Sequence, residues 1–188
     1  MVPAAANWAS EPTNVLGVSF DQPLESQMQE CPKDPKLANL PIPVYDVVQI
    51  NALHKSCFEF MASDSEFRPL KNLPDIGVFY EATAHIVGKG DIAAILLNIQ
   101  HDRRREMLDL LVAKYGEPPT VLTQRYTSLA AAVQEGKLYE WLGKKVSILF
   151  SEYGSTLDQS VVTISVNALL GASGERSRAN AEKNKDKL

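Results

Sequence analysis

The sequence predicts an α+β domain, an antiparallel sheet of hairpins with one or two helices packed on one face. Three observations predict it. Runs of β-branched and apolar residues are joined by short glycine-bearing turns rather than by helical crossovers. One strongly periodic helical segment stands at residues 102–115. No short-period internal repeat is present. The 188 residues suit one ordinary domain, or two very small ones, and a 45% hydrophobic, 22% charged composition supplies a proper core. The expected organisation is a flexible N-terminal arm over 1–13, a single α+β domain over 14–170 and a disordered or frayed polar tail over 171–188.

Within the domain, residues 14–20 (NVLGVSF) read as a strand or extended lead-in. Asp21 then caps a short helix with Pro23 near its first turn. That helix runs to about Glu30, because Pro32 and Pro35 stop it. Leu24, Met28 and Cys31 fall at i, i+4 and i+7 and form its core stripe. Residues 32–56, with Pro32, Pro35, Pro41 and Pro43, predict a long excursion over the surface, with a strand at 44–50. Residues 56–61 alternate and read as another strand. Residues 63–75 read as loop, broken by Pro69 and Pro74.

The second half is more regular. Residues 78–87 and 92–99 form a hairpin around Gly88-Lys89-Gly90-Asp91. With Gly88 facing Asp91, Ile86 faces Ala93, Ala84 faces Ile95, Ala82 faces Leu97 and Tyr80 faces Ile99, all on one apolar face. Glu81, Thr83, His85 and Asn98 occupy the other face. Asp102 caps a helix to Tyr115, with Met107, Leu108, Leu111 and Tyr115 at helical spacing and Leu110 beside them. Gly116 and Pro118-Pro119 end it, and it should lie on the apolar face of the preceding hairpin. Residues 120–136 are polar and alanine-rich, with room for one short helix. A second hairpin follows around Leu142-Gly143-Lys144, with Trp141 against Val146 and Tyr139 against Ile148. The last strand, 161–166, turns Val162, Ile164 and Val166 to one side.

Several function classes are excluded or left without support. A net charge of -4, from 19 basic against 23 acidic side chains, does not provide the basic field that nonspecific nucleic-acid binding needs. No apolar run approaches the roughly 18 to 20 residues of a membrane span. His54, His85 and His101 show no metal-ligand spacing, and no HExxH occurs. Gly17-Val18-Ser19-Phe20 and Gly171-Ala172-Ser173-Gly174 are the nearest strings to a nucleophile elbow, and neither sits between strand and helix. Gly88-Lys89-Gly90 joins strand to strand and lacks the phosphate-loop pattern. Acidic residues from distant strands could still meet as a glycosidase-like pair, though none is singled out. The expectation is therefore no enzyme, no cofactor and no metal.

Two surface features point toward a partner. Arg103, Arg104 and Arg105 stand in a helix's first turn, where cations oppose the macrodipole. They suit an acidic partner, or else form a solvated face offset by Asp102, Glu106 and Asp109. Tyr153, in the loop 151–155, is the tyrosine expected to be exposed and available as an interface anchor.

Cys31 and Cys57 allow one bridge and lie too far apart for a CxxC motif. They read as a structural disulfide of an oxidising compartment, worth about 3 to 4 kcal/mol, or as two separate buried thiols. Pro3-Ala4-Ala5-Ala6 resembles the surroundings of a signal-peptidase cut, which makes Met1 a start placed on a mature exported protein. An ordinary alanine-rich cytosolic N-terminus is the alternative. The balance favours a periplasmic or secreted protein.

Residues 15–24 (VLGVSFDQPL), Glu30-Cys31-Pro32, Cys57, Lys114-Tyr115-Gly116-Glu117-Pro118, Trp141 and residues 146–150 resemble a loose group of bacterial exported proteins with a "GV..gq.l..CP" opening and a "KYG.P" helix end. The resemblance implies export and a Cys31–Cys57 bridge. The arrangement is also similar to small periplasmic modules of the SmpA/OmlA type and to β-lactamase inhibitor proteins, whose sheets or loops bind other proteins. This chain differs by its proline-rich excursion and by having no lipobox cysteine.

The expected function is a noncatalytic exported domain that binds another protein in the bacterial envelope. An inhibitor or immunity protein that blocks an enzyme with the 151–158 loop or the 32–56 excursion is one alternative. A small periplasmic hydrolase without a recognisable motif is another. A small-ligand carrier would need an apolar cavity between sheet and helix, which the expected tight core does not provide.

Overall fold

The computed structural model describes residues 11–61, 65–127 and 133–170. Residues 1–10 of the expected arm and the expected tail from 171 lie outside the described residues.

The chain opens with a two-residue hairpin, β1 (Asn14–Val15) and β2 (Val18–Ser19), in place of the single strand expected there. The turn between them has Leu16 at φ 53° and Gly17 at φ 83°, the two successive positive angles of a type I′ turn. The helix expected from Asp21 to Glu30 is a single turn, α1 (Leu24–Gln27). Gln27 draws it closed by hydrogen bonds to both backbone groups of Ser19, and the chain straightens at once into β3 (Gln29–Glu30). Leu24 is buried in the main core while Cys31 is buried in a separate cluster, so the two do not share a helical stripe.

The strand expected at 44–50 is a helix, α2 (Val47–Leu53). Asp46 caps it, accepting from the N–H groups of Val48 and Gln49 at 3.0 and 3.1 Å. β4 (Cys57–Phe58) follows, and then β5 (Phe67–Lys71) where a loop was expected. Pro69 fits inside β5 because the N and C=O of one residue point to the same side of a strand. Its carbonyl accepts from Glu59 on the β4 side, so the missing donor faces the ragged end of β4 and costs no bond to β6.

β6 (Tyr80–Val87) and β7 (Asp91–Gln100) form the first expected hairpin. The turn has three residues, with Gly88 and Gly90 at φ 61° and 106°. A bulge at Ala93 cancels the extra turn residue. Tyr80–Ile99, Ala82–Leu97 and Ala84–Ile95 therefore pair as the sequence predicts, whereas Ile86 faces Ile92 rather than Ala93. After a 3₁₀ turn (His101–Arg103) comes α3 (Arg104–Tyr115). Asp102 does not cap it: no side-chain cap bond is made at Arg103. Met107 and Leu111 of α3 are buried in one cluster with Ile95, Leu97 and Ile99 of β7, so the helix packs on the expected face.

Residues 120–136 are not helical where described. They form β8 (Thr120–Thr127) and the start of β9 (Val133–Leu142). β10 (Val146–Ser151) completes the second expected hairpin two residues out of the predicted register, with Trp141 against Ile148 and Tyr139 against Phe150. Both stay on the predicted face, because a shift of two preserves side-chain parity. The wider loop is held by Glu11, whose carboxylate accepts from the N–H groups of Lys144, Lys145 and Val146 at 2.6, 2.6 and 2.9 Å. Within the expected arm, Glu11 is therefore held by these bonds, and the Thr13 carbonyl accepts from the Phe20 N–H at 3.0 Å. β11 (Gln159–Val166) lies between β10 and β7.

The nine larger-sheet strands run in the order β3-β4-β5-β6-β7-β11-β10-β9-β8, all antiparallel except the β3–β4 pair. The α+β class fits broadly, but the described molecule is dominated by its sheet, which is mixed rather than wholly antiparallel. Its main core lies under α3 and the β1–β2 hairpin, around Trp141, Phe150, Ile148, Ile95 and Val162. On β4, Phe58 turns into that core while Cys57 turns away to bridge Cys31 beside Ile50 of α2. No described helix is long and apolar enough to cross a membrane.

Candidate functional site

The second hairpin and the first turns of α3 meet along one groove. Lys137 and Tyr139 share the core-facing side of β9 with Trp141, by strand alternation. Phe150 faces Tyr139 across the ladder, with their rings stacked at 5.6 Å, and Glu152 continues that side beyond the end of β10. Arg104, Arg105, Leu108 and Asp109 supply the opposite wall from α3. The groove encloses about 360 Å³. Three cations and two carboxylates line it, over a floor of Tyr139, Phe150 and Leu108.

Glu152 is fixed at every polar group. Its carboxylate accepts from the Tyr139 hydroxyl at 3.1 Å and from the Lys137 N–H at 2.8 Å. Its N–H donates to the Lys137 carbonyl. Its own carbonyl accepts from the Ser160 hydroxyl at 2.6 Å and lies 2.8 Å from His101 Nδ1. Burial together with the neighbouring Glu152 charge pushes the Tyr139 phenol up to about 12. Arg104 donates to the His101 carbonyl at 3.0 Å, which ties it to the helix start. No side-chain partner engages Arg105 or the Lys137 ammonium among the described residues. Among the described residues the groove thus presents two cations that make no side-chain ion pair, with Asp109 on the same helix as Arg105 and Glu152 already committed to internal bonds. Cations so placed are chemically able to take charge-assisted hydrogen bonds to an anion.

The structure divides the arginine triplet. Arg104 and Arg105 enter the groove, whereas Arg103 lies outside it and pairs with Glu106 at 2.8 Å. Tyr153 is half-buried rather than exposed. Its ring stacks on His101 at 4.5 Å and tilts against Tyr126 at 5.1 Å. It also covers Gly136, where an added Cβ would come within 2.6 Å of the Tyr153 ring. His85 stacks on Phe67 at the other end of the sheet and does not converge with His101. Cys31 and Cys57 are joined, with Cα atoms 5.0 Å apart. No three His, Cys, Asp or Glu side chains gather as a metal site among the described residues.

Sequence reasoning missed Lys137 and Glu152. The signal for Lys137 was present, since a lysine in phase with Tyr139 and Trp141 is a cation on a strand's covered face. Glu152 had no local signal. Its place depends on where β10 stops and on contacts with residues up to 51 positions away. No protein-family model, curated protein or solved structure matches the chain.

Proposed function

We propose that this chain is a noncatalytic domain working outside the cytosol, in the periplasm or as a secreted protein, where it binds another protein through an acidic element of that partner. The observation that carries the reading is the pair Arg105 and Lys137, two cations lining one groove that make no ion pair among the described residues. An aspartate, a glutamate or a C-terminal carboxylate of a partner would lie between them and gain charge-assisted hydrogen bonds. The floor of Tyr139, Phe150 and Leu108 would pack against the partner's neighbouring apolar atoms. The Cys31–Cys57 bridge supports the compartment, because such bonds persist where thiols are not kept reduced. The resemblance to bacterial exported proteins points the same way.

The test compares the wild-type domain with Arg105→Glu/Lys137→Glu as baits in periplasmic extract, with captured proteins quantified by mass spectrometry. Both positions are exposed, so the variant should fold. Reversing two rim charges should cut recovery of a specific partner by about tenfold or more, and raised salt should act similarly on the wild type. Identical capture by both baits would overturn the groove as the recognition site.

A further inference from the structure

A second concavity lies on the other flank of α3, between that helix and the β1–β2 hairpin, and its chemistry differs from that of the charged groove. It encloses about 340 Å³ and reaches down to Leu97, Met107, Leu111 and Ile164 in the core. Leu16, at the tip of the β1–β2 turn, and Leu110, 39% exposed on the helix, form its lips. Lys114 is the one charged side chain among its described lining residues, with its ammonium 5.3 Å from the centre of the Tyr115 ring. The expectation of a tightly closed interface between sheet and helix does not hold here.

We propose that this cleft binds one unbranched aliphatic chain carrying an anionic head group, with the chain against Leu97, Met107 and Ile164 and the head at Lys114. The volume lies at the low end of small-ligand sites, about 300–1,000 Å³, and so takes a single short chain. A lining of apolar side chains with one tyrosine and one exposed cation is the complement of a carboxylate amphiphile: the chain leaves water while the head stays at the mouth and is neutralised. A neutral chain would gain the same burial without the charge contact. The inference is independent of the protein-binding groove, since no residue lines both.

Octanoate and octanol, titrated below any micelle-forming concentration, separate the two contributions. Binding is read by calorimetry and by methyl NMR shifts of Leu97, Leu111 and Ile164. Wild type should bind one octanoate saturably and octanol more weakly. Lys114→Glu should weaken octanoate about tenfold, equivalent to about 1.4 kcal/mol, and leave octanol within about twofold. Leu110→Asp, which places a charge on the apolar lip, should weaken both. Each substituted residue is exposed, and an unchanged thermal midpoint checks the fold. Absence of saturable methyl shifts in wild type would overturn the proposal. So would equal losses for octanoate and octanol in Lys114→Glu, or full retention of both in Leu110→Asp.

Discussion

Trp141 has no exposed surface, and its indole N–H donates to the Gly116 carbonyl at 2.8 Å, so one side chain ties β9 to the turn that ends α3. Trp141→Phe leaves that carbonyl without its donor and reduces the ring volume. It should cost about 1–3 kcal/mol in urea unfolding; a loss below about 0.5 kcal/mol would show that neither interaction matters. Three tyrosines make the molecule sensitive to alkali. Burial is the main cause that pushes Tyr45, Tyr80 and Tyr139 up to about 12, reinforced by Glu30, Asp75 and Glu152 respectively. The folded state prefers each phenol protonated, while an unfolded tyrosine ionises near 10. Their contribution is therefore complete below about pH 10 and is lost as pH rises toward about 12. Unfolding free energies measured across that interval should fall, and Tyr139→Phe should lessen the slope. A flat profile would contradict the assignment.

At the scale of elements, the two glycine-turn hairpins were legible because each strand has alternation and a marked turn. The exact pairings moved where residues outside the hairpin intervened, as Glu11 does at the β9–β10 loop. β8 was hidden by low hydrophobicity: it is an edge strand with Val121 and Leu122 both exposed, so it carries no buried stripe to recognise. α2 was misread because Val47, Val48 and Ile50 favour strands locally. Its Asp46 cap and the burial of Ile50 against the disulfide outweigh that preference. This small satellite core, with Tyr45 and Leu53 packed around it, depends on the covalent link. Cys31→Ser/Cys57→Ser should lower stability by about 3–4 kcal/mol, since the bridge spans a sequence separation of 26. Denaturant midpoints of the two proteins measure it. A cost under about 1 kcal/mol would show that the 31–57 segment is held by its other contacts.

For the whole molecule, position in the sheet sets the hierarchy of stability. β7, β11 and β10 lie at the centre of the strand order and bury Ile95, Leu97, Val162, Ile164 and Ile148, whereas β3 and β4 are two residues each at one edge. Native-state hydrogen exchange should find the amides of β7 and β11 opening only with global unfolding, and those of β3, β4 and β8 opening earlier. Equal protection across the sheet would refute this ordering. Within this frame the groove and the apolar cleft sit on opposite flanks of the same helix, each using residues that α3 presents beside its buried Met107–Leu111 stripe.

The amino-acid order by itself determined the glycine turns, the face each main strand turns to the core, the end of α3 at Tyr115 and the two cysteines able to bridge. These depend on neighbours a few residues apart, where turn geometry and side-chain alternation act directly. Only the tertiary structure decided that Arg105 and Lys137 line one groove, that Glu152 is spent on internal bonds, that Tyr153 folds down over Gly136, and that Leu16 and Leu110 line one cleft. Each of those rests on contacts between segments distant in the chain, whose pairing follows from the packing of the whole sheet and leaves no local pattern in the sequence.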